Sequence, residues 1–364
     1  MKHPALTIRA VRTRAVNVPM NRPMGTSATR MEMAPFVLVD LETEEGVLGR
    51  AHVFCYRDLA APLIRRVIAE LGESLRNAAV NPAVIGRLSR SRFALLGTPG
   101  VVGMALSAFD VACWDALARA ADLPLGRYLG GTAETVAAYN SNGLGLTDPD
   151  GLADEARELL APGFEAVKIR LGRDDARDDL RAIRRVRDAI PVESVLMADY
   201  NQALTVDEAL ERCISLDDEG LEWFEEPVAH DDLVGCARVA AALDTPVQAG
   251  ENFSGPATLA SAIELSAQDY VMVDLMRIGG VSGWLKASKL AEKAGLPLSS
   301  HLYPEVSAHL LASTPTAHWL EYVDWAEPFL ETGVSVAGGQ ASVPVVAGTG
   351  VVWDDDAIRH YALD

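Results

Sequence analysis

Three carboxylates stand at equal intervals in this chain of 364 residues: Asp199, Glu225 and Glu251, 26 residues apart each time (199 to 225 to 251). Each closes a short apolar stretch: Val195–Asn201, Leu221–Pro227 and Pro246–Asn252. A carboxylate at the end of a buried stretch loses its hydration and needs positive charge beside it. Oxygen donors with no His or Cys among them suit Mg²⁺, which keeps further positions for water or substrate oxygens. Zn²⁺ favours nitrogen and sulfur donors and fits less well. Glu226 is adjacent to Glu225 and points to the other side of the strand. One of the two is expected as a direct ligand, the other on the outer face or as a hydrogen-bonded support.

Other ionisable residues close neighbouring apolar runs. Lys168 and Arg170 are two apart, so both face one side of a strand, where two cations could hold a carboxylate. His301 has a reference pKa near neutrality and suits a general base. Asp274, on the preceding strand, is its natural ring-nitrogen partner. Glu321, on the next, could donate a proton if its pKa were raised. Together these groups suit removal of a proton α to a carboxylate, with Mg²⁺ and cations stabilising the enediolate.

The elements that must position them read as an alternation. Candidate strands are Val136–Ser141, Ala166–Leu171, Val195–Asn201, Leu221–Glu226, Pro246–Glu251, Tyr270–Asp274, Pro297–His301 and His318–Val323, with helical patterns between. Asp148-Pro149 looks like an N-cap and first helical residue, and Thr205-Val-Asp-Glu208 is a capping box. Eight strands with about seven helices favour a parallel β/α barrel, whose functional residues gather at the C-terminal strand ends. A lone strand-end acid is usually a cap or half a salt bridge. Seven consecutive strands ending in ionisable groups are better explained as one site.

Before the barrel, residues 1–60 read as strands with a hairpin at Thr43–Gly46, and 57–130 as helices. The strongest is Gly100–Ala121, with Ala105, Leu106, Phe109, Ala112, Cys113, Ala116 and Leu117 on one face. Asn21–Pro35 shows no clear periodicity. It reads as a surface loop or as a lid whose Met24, Met31 and Met33 adapt to substrate, with Arg22 and Arg30 available for distal polar groups. Residues 326–364 carry strand-like pieces (Val334–Val336, Ser342–Val346) that are expected to fold back onto the first domain.

Composition narrows the class. The chain is 49% apolar and 23% charged, with net charge −19. That balance opposes nucleic-acid binding. No run of eighteen apolar residues marks a membrane span, and the N-terminus lacks a signal-peptide core. Cys55, Cys113, Cys213 and Cys236 form no Cys-x-x-Cys pair, which fits a reducing cytoplasm. Neither Gly-x-Ser-x-Gly nor a nucleotide-binding glycine loop is present.

The motifs Lys168-Ile-Arg170, Asp199-Tyr-Asn201, Glu225-Glu226-Pro227, Gly250-Glu251-Asn252, Asp274-x-x-x-Ile278-Gly279-Gly280, Ser300-His301-Leu302 and Trp319-Leu320-Glu321 resemble those of the mandelate racemase subgroup of the enolase superfamily. The likeness runs over essentially the whole chain. It implies an α+β N-terminal capping domain (1–132), a modified (β/α)7β TIM-type barrel (133–325) and a C-terminal segment (326–364) returning to the cap. It implies Mg²⁺ on Asp199, Glu225 and Glu251, a His301–Asp274 dyad, and Glu321 hydrogen-bonding a small carboxylate substrate. Asn201 and Ser141 would line the site, Tyr56 would approach from the cap, Met24–Met33 would form the specificity loop, and the enzyme would be a homo-oligomer.

One position departs from that family. It usually carries Lys-x-Lys on the second barrel strand, the second lysine serving as base on the face opposite the histidine; here that residue is Arg170. An arginine base faces a penalty of roughly 7 kcal/mol, about five pKa units at 1.36 kcal/mol each. A racemase or epimerase of a 2-hydroxy acid needs two bases, so Arg170, or Lys168 in its place, would have to exchange a proton. An acid-sugar dehydratase can work from one face with the His301–Asp274 dyad. A non-catalytic carboxylate binder is a remote third reading, since binding alone needs neither acid nor base.

Overall fold

The computed structural model describes residues 4–27 and 29–363. Met1–His3, at the N-terminus read as lacking a signal-peptide core, Ala28, within the methionine-containing stretch, and Asp364 lie outside the described residues.

The chain opens with a three-stranded antiparallel sheet, β1 (Ile8–Gly25), β2 (Arg30–Thr43) and β3 (Leu48–Phe54). Helices α1 (Ala60–Ser74), α2 (Pro82–Arg92), α3 (Val101–Ala120) and the short α4 (Leu125–Tyr128) follow. The expected hairpin at residues 43–46 is present, with Gly46 in the left-handed region its turn requires. Asn21–Pro35 is a correction: most of it is not loop but the paired ends of β1 and β2, with Met24 opposite Met31. An irregularity between Pro19 and Met24 shifts the register, which hides the two-residue alternation that would have marked a strand.

Helix α3 packs on β3 and, from its other sides, on barrel helices. Gly49 makes the first approach possible: a Cβ there would lie 2.0 Å from the Ala112 carbonyl oxygen. Among the described residues α3 alone is long and apolar enough to cross a membrane, but 72% of its apolar stretch is buried inside the protein. A helix walled on several sides is apolar all round for that reason.

All eight expected barrel strands form: β4 (Thr135–Asn140), β5 (Ala166–Arg170), β6 (Val195–Asp199), β7 (Phe224–Glu225), β8 (Val247–Ala249), β9 (Tyr270–Asp274), β10 (Leu298–His301) and β11 (Leu320–Tyr322). Neighbours from β4 to β10 pair in parallel. The ring closes where β11 pairs with β4 and the Ser300 N–H donates to the Trp319 carbonyl. Between strands run α5 (Leu152–Leu160), α6 (Ala176–Ala189), α7 (Val206–Leu216), α8 (Leu233–Ala240), α9 (Pro256–Glu264), α10 (Leu275–Ile278) with α11 (Gly280–Ala294), and α12 (Pro304–Leu311). The Thr205–Glu208 capping box starts α7 as its sequence dictates, and Asp148 caps the turn that leads into α5.

Helix α11 is capped from another domain. It begins at Gly279–Gly280 without a side-chain cap of its own. Asp110 of α3 accepts instead, from Ser282 N at 2.9 Å and Ser282 Oγ at 2.6 Å. A side chain on Gly280 would meet Asp110 at 2.6 Å.

The C-terminal segment differs in part from expectation. Its hairpin, β12 (Val336–Ala337) and β13 (Gln340–Ser342), pairs antiparallel with barrel strand β4. The segment reaches the cap on either side of this hairpin: Phe329 packs on Phe36 with ring centroids 5.0 Å apart, and further on α13 (Asp355–His360) ends, Tyr361 O accepts from Asn17 N, and Trp353 Nε1 donates to Asp40 at 2.7 Å.

Candidate active site

The strand ends bring Lys168, Arg170, Asp199, Glu225, Glu251, Asp274, His301 and Glu321 to one mouth of the barrel. Donor oxygens of Asp199, Glu225 and Glu251 lie within 4.8 Å of one another. Each carboxylate is held by neighbouring donors. Asp199 Oδ1 accepts from Asn201 N at 2.7 Å, and Oδ2 from Asn201 Nδ2 at 3.0 Å. Glu225 Oε2 accepts from Trp223 Nε1 at 3.0 Å and Gln248 Nε2 at 3.3 Å. Glu251 Oε1 accepts from Asn252 Nδ2 at 3.2 Å. Oxygens of all three still converge.

Lys168, fully buried, meets them: its Nζ is 2.6 Å from Glu225, 2.9 Å from Glu321 and 3.2 Å from Asp199. Burial favours the neutral amine, but these carboxylates outweigh it and hold the lysine pKa well above its usual value. One ammonium does not balance the cluster. Burial pushes the Glu225 pKa well up; Lys168 pulls against it, and Asp199, Glu251 and Glu321 push further. A convergent, all-oxygen cluster short of positive charge fits a divalent cation of the Mg²⁺ type.

Glu226 is buried with a left-handed backbone (φ 36°). Its Oε2 accepts from Asn252 Nδ2 at 2.7 Å, and Oε1 has no partner. It stands as a support beside Glu251, one of the two places expected for it. Left-handed backbone also occurs at Tyr56 and Asn201, two more of the candidate site residues, and such strain concentrates at functional sites.

His301 Nδ1 lies 2.8 Å from Asp274 Oδ2, the expected dyad. The Asp274 Oδ1 is held by Met276 N and Arg277 N at the start of α10. The free edge of the imidazole, Nε2, faces Glu251 at 3.3 Å and Glu321 at 3.9 Å. Burial lowers the His301 pKa, but Glu251, Glu321 and Asp274 together bring it up to about 10. A cation on Glu251 would cancel part of that pull and return the ring toward a base.

Glu321 does not meet the condition for a proton donor. Burial raises its pKa, yet Lys168 and then His301, with hydrogen bonds from Ser141 Oγ (2.7 Å) and Leu302 N (2.9 Å), hold it well below the usual carboxylate range. Arg170 is engaged through its terminal nitrogens with the end of β4: Nη1 donates to Ser141 O at 2.7 Å and Gly143 O at 3.2 Å, and Nη2 to Ser141 Oγ at 3.0 Å, while Nε is buried without a partner. It is thus turned toward backbone and hydroxyl rather than presented as a free side chain.

The cap reaches this mouth at several points. Ser27 Oγ, at the hairpin tip, donates to the carbonyls of Tyr200 (3.1 Å) and Asn201 (3.2 Å). Tyr56 lies over Arg277, whose guanidinium is 4.9 Å from the ring centroid. Met31 is buried and Met24 half-buried, both packed against the main core, and Met33 is exposed. Arg22 is taken up by Glu155 and Glu158. A cleft of about 350 Å³ opens beside the tip, lined by Thr26, Ser27, Arg30, Leu146 and Thr147 among others, to one side of the carboxylates.

Trp223, Gln248, Asn252 and Arg277 were not among the sequence candidates. Trp223 had a readable signal: two residues before Glu225, it shares that residue's side of the strand. Asn252 and Arg277 act through tertiary neighbours and had none beyond proximity to Glu251 and Asp274.

Comparison with known proteins agrees with this arrangement. The family described as mandelate racemase / muconate lactonizing enzyme, N-terminal domain, matches residues 8–130, and the enolase C-terminal domain-like family matches 151–357. The chain is 33% identical over 271 residues to L-talarate/galactarate dehydratase of Salmonella typhimurium, covering 74% of this chain and 68% of that one. A solved structure of an enolase from alpha proteobacterium bal199 with bound Mg is 42% identical, with TM-score 0.96 over 98% of this chain and 100% of that one. An enolase from Bradyrhizobium complexed with magnesium and mandelic acid is 37% identical, with TM-score 0.94 over 99% of each.

Proposed function

The chain belongs to the mandelate racemase / muconate lactonizing enzyme family of the enolase superfamily, and we propose that it is a Mg²⁺-dependent acid-sugar dehydratase. It removes the proton α to a substrate carboxylate and expels a β-hydroxyl as water. The observation that carries this reading is the engagement of Arg170 with Ser141 and Gly143, which leaves His301 as the one available base.

In this reading His301 Nε2 takes the α-proton while Asp274 holds Nδ1–H and fixes the tautomer. The same imidazolium then gives its proton to the β-hydroxyl. The C–H and C–O bonds break, water leaves, and the enol relaxes to a 2-keto acid. Mg²⁺ on Asp199, Glu225 and Glu251, when bound, stabilises negative charge developing on the substrate carboxylate. Lys168 adds a fixed positive charge beside it. A substrate carboxylate near Glu321 brings a like charge that raises the Glu321 pKa, and a proton taken up from solvent on binding would let the two share a hydrogen bond. The free, buried thiols of all four cysteines support a reducing compartment.

Racemisation of a 2-hydroxy acid is the second reading, favoured by the mandelic acid in the Bradyrhizobium structure. It needs a second base, and Arg170 would act against the roughly 7 kcal/mol penalty given above. A panel of acid sugars with Mg²⁺, scored for 2-keto acid, tests the first reading. Each enantiomer of mandelate in D₂O, followed by proton NMR, tests the second. We expect keto-acid formation and exchange of one mandelate enantiomer without inversion; inversion of both would overturn the one-base reading.

A further inference from the structure

Arg277 takes no part in the chemistry above, yet it touches both halves of the site. It lies in α10, three residues after Asp274, at the seam between barrel and cap. Its backbone N–H donates to Asp274 Oδ1 at 2.9 Å. Its Nη1 donates to Asn252 Oδ1 at 2.5 Å. Its outer face is covered by the ring of Tyr56 from the cap, at 4.9 Å. The other end of the Asn252 amide, Nδ2, donates to Glu226 Oε2 at 2.7 Å and Glu251 Oε1 at 3.2 Å.

This arrangement has a direction. A guanidinium only donates, whereas an asparagine amide has one accepting and one donating end. Arg277 therefore draws the Asn252 oxygen toward itself and turns the NH₂ toward the two carboxylates. Without it the amide is free to rotate and present its oxygen to Glu251, an acceptor facing an acceptor. Glu251 Oε2, the oxygen left over, faces His301 at 3.3 Å. Fold stability is a weak explanation for the cluster. Glu226 Oε1 is buried without a partner, and a cluster kept for stability alone would not hold such a destabilising group.

We propose that Arg277 is a positioning residue through which the seating of Tyr56 on the barrel sets the orientation of Glu251. Cation affinity then depends on a capping-domain side chain acting through Arg277 and Asn252. The proposal rests on the reading that Asp199, Glu225 and Glu251 hold a divalent cation, not on the identity of the substrate.

The test uses the full-length protein and Mn²⁺ as the probe, with free Mn²⁺ counted by electron paramagnetic resonance. Supporting groups around a metal site typically change affinity 10- to 100-fold. Arg277→Met is expected to weaken Mn²⁺ binding within that range, roughly 10- to 100-fold, and Arg277→Lys to restore part of it. Arg277→Met combined with Asn252→Ala should lose no more than Asn252→Ala alone, because the two act in series. Tyr56→Leu should weaken binding several-fold while the thermal midpoint of the metal-free protein stays at the wild-type value. Unchanged affinity in Arg277→Met, or additive losses in the double variant, overturns the proposal. If Arg277→Met does not fold, Tyr56→Leu decides: wild-type Mn²⁺ affinity there is equally fatal. A wild-type protein that binds no Mn²⁺ removes the cation reading and the proposal together. Failure of acid-sugar turnover with these affinity shifts intact removes only the proposed reaction.

Discussion

Arg170 holds both ends of Ser141, its Nη1 2.7 Å from the carbonyl oxygen and its Nη2 3.0 Å from the hydroxyl. That hydroxyl passes its own proton toward Glu321 at 2.7 Å. A residue that stands where related sequences carry a lysine base is here built into the support of a carboxylate. Replacing it with lysine frees an amine that can lose its proton and removes the bidentate grip. Arg170→Lys should let α-proton exchange appear, or rise at least ~10-fold, on the face that wild type does not exchange. Loss of one charge-assisted hydrogen bond, about 1.5–3 kcal/mol, should slow dehydration at the same time. NMR of both epimers in D₂O measures the first effect, and keto-acid release the second.

His301→Asn keeps a planar polar group but provides no base. General-base catalysis contributes about 10²- to 10⁴-fold, so α-proton exchange should fall by at least that range. Mn²⁺ or Mg²⁺ affinity should persist, because His301 is not among the converging oxygen donors. Full exchange in this variant would remove the dyad from the mechanism.

Glu225→Gln takes a charge from the middle of the three carboxylates. Cation affinity and turnover should drop together, and excess Mg²⁺ should recover part of the turnover. Chelation of wild type with EDTA should abolish turnover and restored Mg²⁺ should return it. Calorimetric titration with Mg²⁺ checks the assignment; an unaltered dissociation constant in Glu225→Gln would contradict it.

The pairing of Asp110 with Ser282 sets a pH dependence of stability. Burial pushes the Asp110 pKa up to about 7, against the hydrogen bonds from Ser282. The native state then binds this proton more tightly than the unfolded chain, whose carboxyl titrates near 4. Where the native state holds more protons, stability falls as pH rises, here between about 4 and about 7. Asp110→Asn should flatten that decline. Asp110→Ala should cost about 1–2 kcal/mol through loss of the cap on α11. Urea unfolding at a series of pH values measures both.

Much of the barrel could be read from sequence because its signals are local. Each apolar run from Val136 to Val323 ends within two residues of a strand end, and Thr205–Glu208 starts a helix through contacts within four residues. The carboxylates, His301 and Asp274 inherited their position from those ends. Features that depend on distant neighbours were not legible. The β1–β2 hairpin tip hides behind a register shift, and β12–β13 needs β4 beside it to be a strand at all. The grip of Arg170 on Ser141 requires two strands placed side by side, and the turn of the Asn252 amide requires Arg277 from a third. Side-chain direction in such places is decided by the assembled barrel.

Helix α3 is walled by the cap sheet on one side and by α10 and α11 on others, and its Asp110 begins one of those helices. The two halves of the chain are therefore poor modules for recombination. A chimera that joins this cap to a related barrel near residue 130 inherits a buried carboxylate looking for Ser282 and a helix start shaped by Gly280. Exchanging specificity between relatives would require carrying Asp110, Gly280 and Ser282 across the junction as a set.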